Sequence, residues 1–196
     1  MIHNKINLRE DDPDIYMTTY LSELGGAPRD AMLILPGGGY EVICAEHEGE
    51  PVALAYMNEG CNAFVLRYSI KEKATFPRPL CDVSLAVSYI RAHAKEFNIN
   101  PNRIFVVGFS AGGHLACYAA TASDYSSDIR PDFQILVYPV TTMSTGTHAG
   151  SRTNFLGADA SNEEMMFYSN ELWVSADTPQ AFITYAKSET VVPPAS

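Results

Sequence analysis

The stretch Gly108–Gly113, which reads GFSAGG, places one serine between small residues. The apolar run RIFVVG leads directly into Ser110, and the helix-like run AGGHLACYAATA leads directly away from it. A serine at a tight strand-to-helix turn can attack a carbonyl carbon, and small neighbours prevent steric collision at such a turn. Ser110 is therefore the candidate nucleophile. The alternative is a glycine-rich turn in which Ser110 only caps a helix.

A second glycine cluster could stabilise the negative charge that such an attack creates. The sequence LPGGGY, which ends at Tyr40, directly follows a short apolar run. Three glycines after a strand let backbone N–H groups come close to a ligand. We expect the N–H groups of Gly38, Gly39 and Ala111 to form an oxyanion hole, and Tyr40 to contact a hydrophilic substrate. A phosphate-binding loop or a plain turn is the alternative, although GGGYEV lacks the G-x-G-x-x-G spacing of a dinucleotide site.

The elements that must position these residues alternate between strand and helix. Apolar runs predict strands at 14–21, 31–36, 62–68, 132–140 and 179–187, and the stretch 98–110 predicts a turn followed by a buried strand that contains RIFVVG. Helical spacing predicts helices at 49–60, 80–97 and 111–122, and a short one at 161–170. Such alternation predicts the α/β class, a three-layer α/β/α sandwich around a mostly parallel sheet. Ligands of these sheets bind at the carboxyl ends of the strands.

Length and charge narrow the class of protein further. With 196 residues and 46% hydrophobic composition, the chain predicts one domain over 1–196, with a lid-like insertion at about 141–178. The formal net charge of −10, with no run of Lys or Arg, argues against nucleic acid or an anionic membrane as a partner. Its N-terminus lacks the apolar core of a secretion signal, so we expect a cytoplasmic protein.

The four cysteines are spread along the chain without metal-ligand spacing. We therefore expect buried free thiols, with no disulfide and no metal site.

Four segments carry a resemblance to a known family. They are LPGGGY, EGEPVALAYMNEGCNAFVLRYS, RIFVVGFSAGGHLA and THAGSRTNFLG, in this order and spacing. The chain resembles the α/β-hydrolase superfamily, and within it the bacterial acetyl esterase and acetylxylan esterase-like group, which is related to hormone-sensitive lipase. The likeness extends from about residue 15 to 193.

This resemblance implies an enzyme that hydrolyses short acyl esters, often acetyl groups on plant-wall sugars, without a cofactor. Its partner would then be a small-molecule or carbohydrate ester. The motif match assigns the nucleophile to Ser110 and the oxyanion hole to Gly38, Gly39 and Ala111. Pro36 stands where the lipase-type relatives carry the His of H-G-G-G, a departure that the esterase group shares.

The other two members of a Ser, Asp, His triad match less well. The family's acid lies in a D-x-x-V-P loop, which corresponds to SETVVP and hence to Glu189. The base should follow the acid, but no His follows Glu189. We therefore expect that a C-terminal helix-strand-helix is missing and that the His lies beyond residue 196. His148 is expected to contact substrate, with a role as base the alternative, and His114 is expected to be structural.

Two classes of function follow. The first is a serine carboxylic-ester hydrolase that acts through an acyl-enzyme intermediate. The second is a non-catalytic, hydrolase-like binding module, and a thioesterase or peptidase could use the same scaffold. A sheet edge left exposed at the C-terminal side would favour pairing with another chain, so homo-oligomers are left open.

Overall fold

A computed structural model of the protein describes residues 1–122, 129–188 and 191–192. The strands of these residues form one sheet. They are β1 (Lys5–Asn7), β2 (Tyr16–Tyr20), β3 (Arg29–Leu35), β4 (Asn62–Arg67), β5 (Ile99–Phe109), β6 (Phe133–Val137) and β7 (Ala181–Thr184). Their order in the sheet is β1-β2-β4-β3-β5-β6-β7. The β1–β2 and β2–β4 pairs are antiparallel, and the β4–β3, β3–β5, β5–β6 and β6–β7 pairs are parallel.

The helices cover both faces of the sheet. They are α1 (Ala45–Glu48), α2 (Glu50–Asn58), α3 (Arg78–Ala92), α4 (Ser110–Thr121), α5 (Ala149–Leu156) and α6 (Asn162–Phe167). One core forms where α3 and α4 pack on the sheet, and a smaller one forms around α2 on the opposite face. Residues 31–35 of β3 are buried throughout, which explains their unbroken apolar run.

The structure confirms the predicted α/β/α arrangement and the mostly parallel sheet. Each predicted strand and helix is present, with ends that shift by a few residues. The predicted helix at 80–97 ends earlier, at Ala92, although Ala94 and Phe97 remain buried beyond it. The sequence did not predict β1, α1 or α5, since these short elements carry no clear apolar period.

The stretch predicted as a lid-like insertion, 141–178, contains α5 and α6. Helix α6 confirms the short helix predicted there, and a reciprocal capping box between Ser161 and Glu164 begins it. Beyond this stretch, β7 is the outer strand among the described residues, and Phe182 and Ile183 are 63% and 53% exposed. An apolar strand with an unpaired edge is suited to pairing with a further element.

All four cysteines are free thiols, as predicted, but only Cys117 is buried and the other three are half-buried. No helix of the described ranges is both long enough and apolar enough to pass through a bilayer.

Candidate active site

Ser110 lies at the junction of β5 and α4, because the strand ends at Phe109 and the helix begins at Ser110 itself. Its φ is 50°, in the left-handed region that L residues other than glycine rarely adopt. Such a conformation costs about 1–2 kcal/mol, so the surrounding packing must enforce it. The side chain is half-buried and thus accessible to a ligand.

The glycines around Ser110 are required by close packing. A Cβ atom on Gly112 would lie 2.2 Å from the carbonyl oxygen of Leu35 in β3, and one on Gly108 would lie 2.4 Å from Gly112 O. On Gly113 it would lie 2.8 Å from Cα of Pro139. The first turn of α4 therefore rests directly on neighbouring backbone, as the small residues predicted.

Sheet register brings the two glycine clusters together. Leu35 in β3 pairs with Gly108 in the parallel strand β5. Two residues further along both segments, Gly37 therefore lies beside Ser110. A Cβ atom on Gly37 would lie 3.0 Å from Cβ of Ser110. The segment Pro36 to Tyr40, here called the glycine loop, is thus adjacent to the candidate nucleophile.

Backbone amides of this loop differ in their hydrogen bonds. The N–H of Gly37 donates to Oε2 of Glu48 at 2.6 Å. By contrast, the N–H groups of Gly38 and Gly39 donate to no atom of the described residues, and both glycines are half-buried. Ala111 is in the first turn of α4, where N–H groups have no partner within the helix. These three amides are available to a negatively charged oxygen.

Side chains from distant elements hold the glycine loop in place. Tyr68 donates from its hydroxyl to the carbonyl oxygen of Pro36 at 2.6 Å, and Asn154 donates from Nδ2 to that of Gly39 at 2.8 Å. Gly38 and Gly39 have φ values of 131° and 65°, which glycine adopts readily. The loop is therefore fixed before any ligand binds.

Tyr40 supports the loop from inside the core. Its side chain is 0% exposed, its ring stacks on Phe155, and its hydroxyl lies 2.8 Å from Nδ1 of His114. Burial raises the pKa of Tyr40 well above its usual range, so the hydroxyl keeps its proton. This corrects the expectation that Tyr40 contacts substrate, because the side chain has no surface to offer.

His114 has no free nitrogen for proton transfer. Its Nε2 lies 2.9 Å from the carbonyl oxygen of Tyr168, which can only accept, so Nε2 carries the proton and Nδ1 accepts from Tyr40. Burial lowers the pKa of His114 to about 4, which keeps the ring neutral. The structure confirms the predicted structural role.

His148 lies beside the glycine loop. Its Cε1 is 3.9 Å from the position of a Cβ atom on Gly39. As the N-cap of α5, its Nδ1 accepts from the backbone N–H of Ser151 at 3.2 Å and lies 2.9 Å from Ser151 Oγ. With Nδ1 accepting from this backbone N–H, the tautomer that fits carries a proton on Nε2, and Nε2 bonds to no described residue. Glu189, the predicted acid, falls outside the described residues.

A family model, BD-FAE, matches residues 14–196. The chain belongs to the BD-FAE family. This BD-FAE member is 41% identical, over 177 residues, to endo-1,4-beta-xylanase B of Butyrivibrio fibrisolvens, covering 84% of the chain and 28% of that protein. It is 35% identical to the acetylxylan esterase of Xylanibacter ruminicola, covering 93% of the chain and 38% of that protein. The chain thus spans well under half the length of these two curated relatives.

Solved structures agree on the fold. The acetyl ester-xyloside bifunctional hydrolase from Caldicellulosiruptor lactoaceticus superposes on this BD-FAE member with a TM-score of 0.88 and 32% sequence identity. The match covers 97% of the chain and 76% of that protein. The predicted resemblance to α/β-hydrolases of the acetylxylan esterase group is therefore confirmed.

Proposed function

We propose that this BD-FAE member hydrolyses short acyl esters of carbohydrates, acetyl esters above all, with Ser110 as the nucleophile. The observation that carries the proposal is the position of Ser110, at positive φ, beside Gly37 of the glycine loop, whose next two N–H groups, of Gly38 and Gly39, have no partner among the described residues. Two relatives whose names include acetylxylan esterase and acetyl ester-xyloside hydrolase support the acetyl and carbohydrate parts.

In this mechanism Ser110 Oγ bonds to the acyl carbon while its proton passes to a base. The carbonyl oxygen becomes an oxyanion held by the N–H groups of Gly38, Gly39 and Ala111. The C–O bond to the sugar then breaks, and the alcohol leaves with the proton. Water cleaves the acyl-enzyme and releases the acid, with Ser110 regaining its proton. We infer that a histidine other than His114 and His148 is the base, oriented by Glu189.

His148 has a different proposed role. Its protonated Nε2, next to the glycine loop, can donate a hydrogen bond to an oxygen of the bound ester. A hydroxyl-rich substrate offers many such acceptors, which fits a sugar ester better than a long-chain lipid.

Kinetics on the full-length natural protein test the proposal. We expect faster hydrolysis of 4-nitrophenyl acetate than of the octanoate ester, and release of acetate from acetylated xylan. Ser110→Ala should lower kcat/KM by at least about 10³-fold and abolish labelling by a fluorophosphonate. Ser84→Ala, in α3, is the matched control and should leave both unchanged. An active, labelled Ser110→Ala variant would overturn the proposal.

A second candidate function is a non-catalytic module that binds carbohydrate esters. It is favoured by one observation, that His114 and His148 both use Nδ1 as an acceptor and hold their proton on Nε2. Under this candidate, acetylated xylo-oligosaccharides bind, measured by calorimetry, but Ser110 is not labelled. A panel of thioester and amide substrates separates the esterase from a thioesterase or peptidase on the same scaffold.

A further inference from the structure

Glu48 occupies an unexpected position beside Ser110. It is the last residue of α1 and is half-buried. Its Oε2 and the Cβ of Ser110 lie 2.9 Å and 3.0 Å from the point that a Cβ atom on Gly37 would occupy. The carboxylate and the candidate nucleophile are therefore on the same side of the glycine loop.

Both carboxylate oxygens of Glu48 accept short hydrogen bonds. Oε2 accepts from the N–H of Gly37 at 2.6 Å, and Oε1 accepts from the hydroxyl of Tyr138 at 2.7 Å. An ionised carboxylate only accepts, so it matches two donors without conflict. Both distances are short for protein hydrogen bonds, so the two partners are held close to the carboxylate.

These two bonds span the site. Gly37 follows β3 and Tyr138 follows β6, while β5, which delivers Ser110, lies between those strands in the sheet. The carboxylate of Glu48 thus joins the carboxyl ends of the two strands that flank the nucleophile strand. A shift of the glycine loop away from Ser110 would break this connection.

We propose that Glu48 is a positioning residue for the oxyanion hole, an inference that rests on the proposed ester hydrolysis. It occupies the N–H of Gly37 and so fixes the loop, which leaves the N–H groups of Gly38 and Gly39 as the donors to the oxyanion. Donors of this kind act through their fixed position, and a displacement of about 1 Å can cost on the order of 10²-fold in rate.

This role depends on the reach of the side chain rather than on its charge. In Glu48→Gln the amide oxygen can still accept from Gly37 N–H, and the amide nitrogen can donate to the oxygen of Tyr138. In Glu48→Asp the charge remains, but the carboxylate is one methylene further from both partners. The two variants therefore separate geometry from electrostatics.

The experiment measures kcat and KM on 4-nitrophenyl acetate for the full-length protein. We expect Glu48→Ala and Glu48→Asp to lower kcat by roughly 10- to 100-fold with KM changed by less than about threefold. Glu48→Gln should retain kcat within about fivefold of the wild type. Glu46→Ala and Glu46→Gln, on the exposed side of the same short helix, are matched controls and should match the wild type.

Hydrogen exchange at the Gly37 amide gives a second readout that does not depend on turnover. It should be faster in Glu48→Asp and unchanged in Glu46→Gln. If Glu48→Ala does not fold, the comparison of Glu48→Asp with Glu48→Gln still tests whether Glu48 positions the glycine loop. Equal kcat in the Asp variant and the wild type, or equal losses in the Asp and Gln variants, would overturn the inference. A wild-type protein that hydrolyses no ester would instead refute the proposed function itself.

Discussion

The hydroxyl of Tyr40 donates a hydrogen bond to Nδ1 of His114 across 2.8 Å inside the core. Tyr40 ends the glycine loop and His114 lies on α4, one turn after Ser110. Through Nε2, His114 also donates to the carbonyl oxygen of Tyr168, next to α6. One imidazole therefore connects the glycine loop, the helix that carries the nucleophile and the 141–178 segment.

Removing that imidazole should destabilise the fold. In His114→Ala the Tyr40 hydroxyl and the Tyr168 carbonyl lose their partners and a buried cavity forms, so we expect the free energy of unfolding to fall by about 2–4 kcal/mol. Urea denaturation measures the change. His93→Ala, at a half-buried position, is the control and should cost no more than about 1 kcal/mol. Equal losses in the two variants would contradict the assigned role.

The stability of the protein should depend on pH through the same residue. Burial lowers the pKa of His114 from 6.5 to about 4, so the folded state prefers the neutral ring. This contribution is complete above pH 6.5 and is lost as the pH falls from 6.5 towards 4. The difference corresponds to roughly 3 kcal/mol. As the pH is lowered across this range, the free energy of unfolding should fall in the wild type and fall less in His114→Phe. If the two variants lost the same free energy, His114 would not be the source of the pH dependence.

Backbone contact at Gly112 should tolerate no side chain. A Cβ atom there would lie 2.2 Å from Leu35 O and 2.6 Å from Pro36 O, so Gly112→Ala must push α4 off the sheet. We expect the free energy of unfolding of Gly112→Ala to be lower by more than about 3 kcal/mol, or the variant to be insoluble. In the control Gly25→Ala, a Cβ atom would have no neighbouring atom within 4 Å, so the free energy of unfolding should change by less than about 0.5 kcal/mol. A soluble Gly112→Ala variant as stable as Gly25→Ala would contradict close packing of Gly112 against the carbonyl oxygens of Leu35 and Pro36.

Strain at Ser110 should appear as a stability difference between two inactive variants. Glycine adopts a φ of 50° without steric cost, whereas alanine does not. Ser110→Gly is therefore expected to be more stable than Ser110→Ala by about 1 kcal/mol in calorimetric unfolding. A less stable glycine variant would argue for a relaxed turn.

Much of the fold could be predicted because local patterns and long-range packing agree. The apolar runs of β3 and β4 are buried on both faces, and the stripe through Val83, Val87 and Ile90 faces the core. The three-residue strand β1 and the four-residue helix α1 were missed, since neither is long enough to show a period.

The candidate site could be predicted only where its residues are close in sequence. Ser110 and its glycines form a local motif, and so does the glycine triplet. Tyr40 was misassigned because its partners Phe155 and His114 come from distant parts of the chain. Glu48 was overlooked within the acidic stretch AEHEGE, since its partner Tyr138 is 90 residues away in sequence.

The pairing of Leu35 with Gly108 sets the distance between the two halves of the site, because each half follows its strand by two residues. Adjacent strands are held about 4.8 Å apart by backbone hydrogen bonds, which makes this distance insensitive to surface sequence. Engineers could therefore exchange exposed residues of 141–178 without altering this distance, provided that they keep Asn154, Phe155 and Tyr168, which contact the glycine loop, Tyr40 and His114. The pairing of β3 with β5 would still set the spacing between Ser110 and the glycine loop.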